Sequence, residues 1–463
     1  MFAPEIYAAR REALRKEIKS GIAVFPGNTE ASFNYPSNTY HFRQDSTFSY
    51  FFGLNQPDLA GIVDFESRTD YLYGNDVDMD DIIWMGPQPT MVDRGKLVGI
   101  ASTAPLASFG KYIAEALAKG RKVHFLPPYR GETKIQLSDL LGIPVASLKA
   151  NISVELIKAV VKLRSIKSAE EVVEIEKMVD AAWLMHTTAM KMAYPGVVEQ
   201  EIAGTIEGVA LANAGPVSFP IILSIHGETL HNHYHGNTLT EGRMLVVDAG
   251  CESVETLYSS DITRTVPVGG KFSQRQREIY EIVLEANLKA IDAIKPGIPY
   301  REIHLLAAGV IVDGLKKLGL MKGDTKAAVE AGAHALFMPH GLGHMMGMDV
   351  HDMENLGEDY VGYDEEIVRS KQFGTAFLRL GRKLQPGFVL TVEPGIYFIP
   401  ALIDQWKNEG QHTGFINYDK VETYKDFGGI RIEDDVLVTE TGHRVLGKPI
   451  PKTVAEIEEI MKR

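Results

Sequence analysis

Four acidic residues stand where the surrounding sequence reads as apolar strand. Asp248 closes the run RMLVVDAG, Asp261 opens SSDITRTVPV, Glu393 lies between Val392 and Pro394 in TVEPGIYF, and Glu433 alternates with Ile430 and Ile432 in GIRIEDDVLV. A carboxylate inside an apolar strand costs several kcal/mol unless it is paired or bound to a cation. Any one of these acids, taken alone, reads as a strand-end cap or as the partner of an arginine such as Arg264 or Arg431. All four are accounted for together by one metal site.

The histidines of MPHGLGHMMGMDVHD supply the neutral ligand. His340 and His344 have the spacing of a zinc-peptidase helix, but that motif needs Glu after the first His, and Gly341 and Gly343 oppose a helix. GLGHMMG also fails as a dinucleotide fingerprint, since its third glycine falls one residue late. What remains is His340, His344 and His351 on a glycine-rich strand and turn, one available as ligand and the others facing substrate. Carboxylates with a single imidazole form an oxygen-rich set that suits Mn²⁺ or Co²⁺ better than a thiolate- or histidine-dominated zinc site does. Its charge is enough for two divalent ions, which about 3.5–4 Å apart can activate a water and polarise a carbonyl. Amide hydrolysis is the chemistry expected. In HGETLHNHYHG, His231 is assigned to the site and the other histidines to loop surface. Cys251, the only cysteine, reads as a buried packing residue and not as a nucleophile.

These residues need a scaffold. At 463 residues the chain exceeds what one core usually serves, so two domains are expected. Residues 20–150 mix strand-like runs (GIAVF, AGIVDF, KVHFL) with helical ones (PLASFGKYIAEALAKG), as a small α/β domain would. Ser168 followed by Glu171 forms a capping box that opens a long amphipathic helix. That signal sets the boundary between 155 and 168, giving domains 1–160 and 161–463. Beyond it, helices (REIYEIVLEANLKAIDAIKPG, REIHLLAAGVIVDGLKKLGL) and short strands come in blocks, so the class is α+β. The formal net charge of -13 opposes binding to nucleic acid or anionic membranes. The apolar runs FPIILSI and LLAAGVIV are too short to span a bilayer. The lone cysteine and a charged N-terminal segment without an apolar core make a cytoplasmic location the expectation.

The segments VVDAG, DITRT, HGLGH, VEPGIY and RIEDD, in that order over most of residues 165–445, resemble the metal-binding motifs of the prolidase and aminopeptidase P family. HFRQDSTFSYFFGLNQPDLA resembles the smaller N-terminal domain of its aminopeptidase P branch. The resemblance implies a C-terminal "pita-bread" catalytic domain and a homodimer. It makes Asp248, Asp261, His344, Glu393 and Glu433 the ligands of two divalent ions, manganese foremost, with cobalt or zinc as alternatives. Asp261 and Glu433 would bridge, and Glu393 would also shuttle the proton. His231, His340 and His351 would face the substrate, with Arg431 and Tyr397 in support and Tyr397 counted among the residues that bind substrate. The implied substrates are small peptides with an Xaa-Pro bond, whose nitrogen carries no hydrogen and which ordinary peptidases therefore grip poorly. Arg379 stands where prolidases place an arginine against the C-terminal carboxylate of a dipeptide, a task that suits a guanidinium fork. Xaa-Pro dipeptidase is thus expected, with Xaa-Pro aminopeptidase as the alternative. Metal-free relatives of creatinase type have lost the carboxylates, whereas here all five positions are filled.

Overall fold

The Ser168 hydroxyl accepts the Glu171 N–H, the Glu171 carboxylate accepts the Ser168 N–H, and helix Ala169–Met192 runs on from this capping box. In the computed structural model, which describes residues 1–462, this helix begins the larger of two compact units. The first unit holds Met1–Arg164 with two short returns of the chain, Glu255–Leu257 and Met353–Tyr360. The second holds Ser165–Val254, Tyr258–Asp352 and the chain from Val361 onward. The two returns carry no signal in hydropathy or turn chemistry.

The first unit is built on a five-stranded sheet in the spatial order Ser102–Ala104, Asp70–Tyr73, Ala60–Asp64, Ile22–Pro26, Val123–His124. The inner pairings are antiparallel and the two outer ones parallel. Helices Ala107–Ala118 and Gly131–Leu141 bury Phe109, Ile113 and Leu137 against Ile22, Val24 and Ile62, which is the α/β core the sequence led one to expect.

In the second unit, strands Ile222–Ser224, Met244–Ala249 and Ile262–Pro267 form one antiparallel sheet, every residue of which is buried. Two further ribbons lie along the chain of GFVLTVEPGIYF and GIRIEDDVLV. Val389–Val392 pairs with Asp434–Val438, and Gly395–Tyr397 pairs with Gly429–Arg431. Each of these sequences reads as one strand, yet each is interrupted, the first at Glu393 and Pro394, the second at Ile432 and Glu433. Pro394 has no N–H to give a ladder, so pairing lapses on both sides at the same level. Glu433 therefore sits in a gap of the ladder and not in the strand alternation that its isoleucine neighbours suggest. Among the described residues no helix is long and apolar enough to cross a membrane.

Helix Tyr300–Lys317 buries His304 against His334 from the turn Ala333–Leu336, with ring centroids 6.1 Å apart. None of the four ring nitrogens has a hydrogen-bond partner among the described residues. Burial first, then the proximity of other histidines, pushes His304 down to about 3 and His334 down to about 4. An unfolded histidine titrates near 6.5. Below that value the unfolded chain takes up protons that the native pair refuses, so stability is lost as pH falls from about 6.5 towards 4. The thermal midpoint should drop more steeply between pH 7 and about 4.5 in the wild type than in a variant carrying His304→Gln and His334→Gln. Parallel curves would contradict this.

Candidate metal centre

The buried sheet and the interrupted ribbons bring the acids to one place. Asp248 lies near the end of strand Met244–Ala249, opposite Thr263 on one side and Ile222 on the other, and Asp261 immediately precedes strand Ile262–Pro267. The HGLGH segment is laid along strand Val389–Val392. The His344 N–H donates to Thr391 Oγ1 at 3.1 Å, and the Thr391 N–H donates to the His344 carbonyl at 3.0 Å. The Glu393 N–H meets the Leu342 carbonyl at 2.8 Å. A Cβ on Gly343 would lie 2.0 Å from the Thr391 carbonyl oxygen, so this close approach requires glycine.

One ligand atom from each of Asp261, His344 and Glu433 lies within 4.8 Å of the others, and all three residues are buried. His344 Nε2 is 3.3 Å from Asp261 Oδ2 and 3.7 Å from Glu393 Oε1. His344 Nδ1 faces the Met345 carbonyl at 3.0 Å; donation there leaves the Nε2 lone pair directed at the carboxylates. Asp248 Oδ2 accepts from Arg431 Nη2 at 2.6 Å, while its Oδ1 is buried with no hydrogen-bond partner among the described residues. Arg431 also donates to Tyr397 OH at 2.8 Å and to Thr263 Oγ1 at 3.1 Å, and the Thr263 hydroxyl donates to Glu433 Oε2 at 2.6 Å. Arg264 fixes the Glu433 backbone through its carbonyl at 2.6 Å and pairs with Asp434 at 2.7 Å. Asp435 Oδ2 accepts the Asp261 N–H at 3.1 Å.

Burial, and next the charge of Asp248, pushes Asp261 up to about 8. Burial does the same to Glu393, where Arg431 opposes the rise and Asp261 and Asp248 add to it, leaving it at about 8. Glu433 is driven well above the usual carboxylate range by burial, then by Asp261 and Glu393. Carboxylates crowded in this way repel one another when ionised, and divalent cations are the partners that relieve the repulsion. The oxygen-rich donor set, the directed imidazole and the unpartnered Asp248 oxygen all fit such ions.

These groups form the floor of a cavity of about 560 Å³. His231, His340, His351, Arg379 and Arg431 line it together with the acids. The His351 ring lies 4.4 Å from that of His344. His340 is pushed down to about 3 by burial and then by Arg431, so its imidazole is neutral, with Nδ1 2.8 Å from the Gly341 carbonyl and Nε2 3.0 Å from Tyr397 OH. Tyr397 is fully buried and is not on the cavity wall; expected among the substrate-binding residues, it lies behind Arg431 and His340 and supports them. His233, expected as loop surface, lines the cavity, as do Phe219, Leu230, Phe373 and Phe377. These residues sit in irregular loops, where no periodicity marks a facing side chain. Thr263, the bridge between Arg431 and Glu433, was legible only as the alternate position of DITRT.

The chain from residue 174 to 440 matches the family described as metallopeptidase family M24, and residues 7–124 match the aminopeptidase P N-terminal domain. The human Xaa-Pro dipeptidase is 29% identical over 476 residues, covering 98% of this chain and 93% of that protein. A probable Xaa-Pro aminopeptidase of Metarhizium robertsii is 30% identical over 446 residues, covering 95% and 92%. Among solved structures, zinc-substituted aminopeptidase P of Escherichia coli in complex with product superposes with a TM-score of 0.81 at 28% identity, covering 99% of this chain and 98% of that one. The aminopeptidase of Pseudomonas aeruginosa gives the same values. Fold and site together define a metallopeptidase with a pita-bread catalytic domain and a smaller N-terminal domain. This chain belongs to metallopeptidase family M24.

Cys251 plays no part in this centre. It is fully buried, its thiol is 3.4 Å from the Met178 carbonyl, and burial pushes it up to about 12. A disulfide reagent should label it only after unfolding, and Cys251→Ala should keep peptidase turnover within about two-fold of wild type. Native labelling with loss of activity would contradict this.

Proposed function

We propose that this chain is a two-metal Xaa-Pro dipeptidase, in which Asp248, Asp261, His344, Glu393 and Glu433 would hold the ions. The observation that carries the reading is the placement of these five side chains in one cavity whose wall also bears Arg379. The oxygen-rich donor set favours manganese, with cobalt or zinc as alternatives. When bound, such a pair supplies a water of lowered pKa and a Lewis acid for the scissile carbonyl.

The side chains have distinct tasks in this reading. Glu393, partly open to the cavity, takes the proton of the attacking water and hands it to the proline nitrogen, which must be protonated to leave. His351 and His231 offer N–H groups to the developing oxyanion; burial and the nearby Arg431 lower His231, which keeps it neutral. His340 is held by Tyr397, and Tyr397 by Arg431, so both act by fixing the wall. Arg379 receives the free carboxylate of the substrate, and its backbone is anchored where the Tyr363 hydroxyl donates to the Leu378 carbonyl at 2.6 Å. Small proline-containing peptides of the cytoplasm are the proposed substrates, which suits a single unpaired cysteine, and a homodimer is the proposed assembly by family resemblance.

A second reading, Xaa-Pro aminopeptidase, is favoured by the match of residues 7–124 to the aminopeptidase P N-terminal domain and by relatives of that name. With Mn²⁺ added, Gly-Pro should be hydrolysed at least about ten-fold faster than Gly-Pro-Ala in kcat/KM. Arg379→Ala should raise KM for Gly-Pro by roughly 10- to 100-fold with little change in kcat, the loss of one charge-assisted hydrogen-bonded pair. Equal turnover of both peptides, or an Arg379→Ala enzyme with unchanged KM, would overturn the dipeptidase reading in favour of the aminopeptidase.

A further inference from the structure

Beneath the imidazole wall lies an ion pair with no place in the chemistry described so far. Lys167 Nζ is 2.8 Å from Asp352 Oδ2, and both side chains are only 1% exposed. Asp352 immediately follows His351. Its N–H donates to the Met345 carbonyl at 2.9 Å, which closes the segment 345–352 into a loop. The Met346 N–H donates to the Val389 carbonyl at 3.0 Å, and the Ser259 N–H, two residues before Asp261, donates to the Gly347 carbonyl at 2.9 Å. The Lys167 N–H donates to the Gly387 carbonyl at 2.8 Å, on the approach to strand Val389–Val392. A Cβ on Gly347 would lie 2.5 Å from Asp352 Oδ2 and 3.0 Å from Lys167 Cε, so the loop is shaped around the pair.

Stability does not account for such a pair. Desolvating both charges offsets their attraction, and apolar residues of similar volume commonly serve the fold as well or better. What an apolar contact lacks is direction. Lys167 is held through its backbone N–H by the Gly387 segment and Asp352 through its own by the His351 loop, so the ion pair between their side chains fixes the azimuth of that loop where leucine and methionine would let it slide. We propose that Lys167 is a positioning residue, which acts through Asp352 to hold the His351 imidazole against the metal centre. This inference rests on the role given to His351 above for its effect on turnover, but not for its effect on the imidazole itself.

Two measurements separate the possibilities. The first follows the His351 Cε1–H signal in the NMR spectrum of the full chain loaded with diamagnetic Zn²⁺, assigned by its loss in His351→Ala. The second measures kcat, KM and thermal midpoint for Lys167→Met, for Lys167→Arg, and for Lys167→Met combined with Asp352→Leu. The combined variant should recover the thermal midpoint lost in Lys167→Met, because the buried carboxylate that lost its ammonium is gone. Its kcat on Gly-Pro should nevertheless stay at least about ten-fold below wild type with KM nearly unchanged, and its His351 signal should be shifted or broadened. Lys167→Arg, which keeps the charge, should hold kcat above that of Lys167→Met. A combined variant with the wild-type His351 signal overturns the proposal whatever its activity, and so does a kcat that merely follows the thermal midpoint. Should the combined variant not fold, Lys167→Arg and Lys167→Met decide alone, and equal kcat and His351 signals in the two would overturn it. A wild-type enzyme inert towards every Xaa-Pro peptide would instead sink the functional reading and leave the NMR comparison to decide this one.

Discussion

Mutual repulsion of buried carboxylates governs this structure. Asp248, Asp261 and Glu433 are buried, Glu393 is only partly open to the cavity, and the Arg431 guanidinium pairs with Asp248. Such an arrangement is relieved either by protonation, towards which burial and the neighbouring charges push Asp261, Glu393 and Glu433, or by divalent cations that share the oxygens. Much of the surrounding architecture then serves to hold the oxygens where they repel most. Thr263 stands between Arg431 and Glu433, Arg264 clamps the Glu433 carbonyl, and Asp435 receives the Asp261 N–H. Each contact spends a polar partner on orientation, which a hydrophobic core would not need.

The sheet topology follows the same constraint. A continuous ladder from Val389 to Tyr397 would point Glu393 by strict alternation, but the break at Pro394 lets its carboxylate turn towards His344. The matching break beside Ile432 does the same for Glu433. Glycine at position 343 lets the histidine loop lie directly on strand Val389–Val392, so His344 and Glu393 are set by one piece of backbone. The imidazole wall above the centre is tied down in turn through Tyr397 on one side and the segment 345–352 on the other.

How much of this was legible in the sequence varies with the physics behind each element. The long helix opened by Ser168, the strands around Asp248 and Asp261, and the α/β character of the first 150 residues follow from local capping and hydropathy, and the structure carries them. The convergence of the acids was legible because a charged residue in an apolar run has few explanations. Interruption of the two ribbons was not, since GIRIEDDVLV alternates well enough to read as one strand and only tertiary pairing with the Pro394 gap breaks it. Tyr397, which the resemblance put among the supporting and substrate-binding residues, lies behind Arg431 and His340 and does not line the cavity. The returns of the chain to the first unit, and the cavity residues His233, Phe373 and Phe377, sit in loops where neither period nor propensity speaks.

The central claim is that the carboxylates and His344 form a two-ion centre. Diffraction from crystals equilibrated with Mn²⁺, with anomalous data collected at the manganese edge, tests it most directly. Two anomalous peaks about 3.5–4 Å apart are expected, both within bonding distance of Asp261 and Glu433, and both should disappear in Glu433→Ala crystals that diffract equally well. A single peak remote from these residues, or none in protein that hydrolyses its substrate, would contradict it.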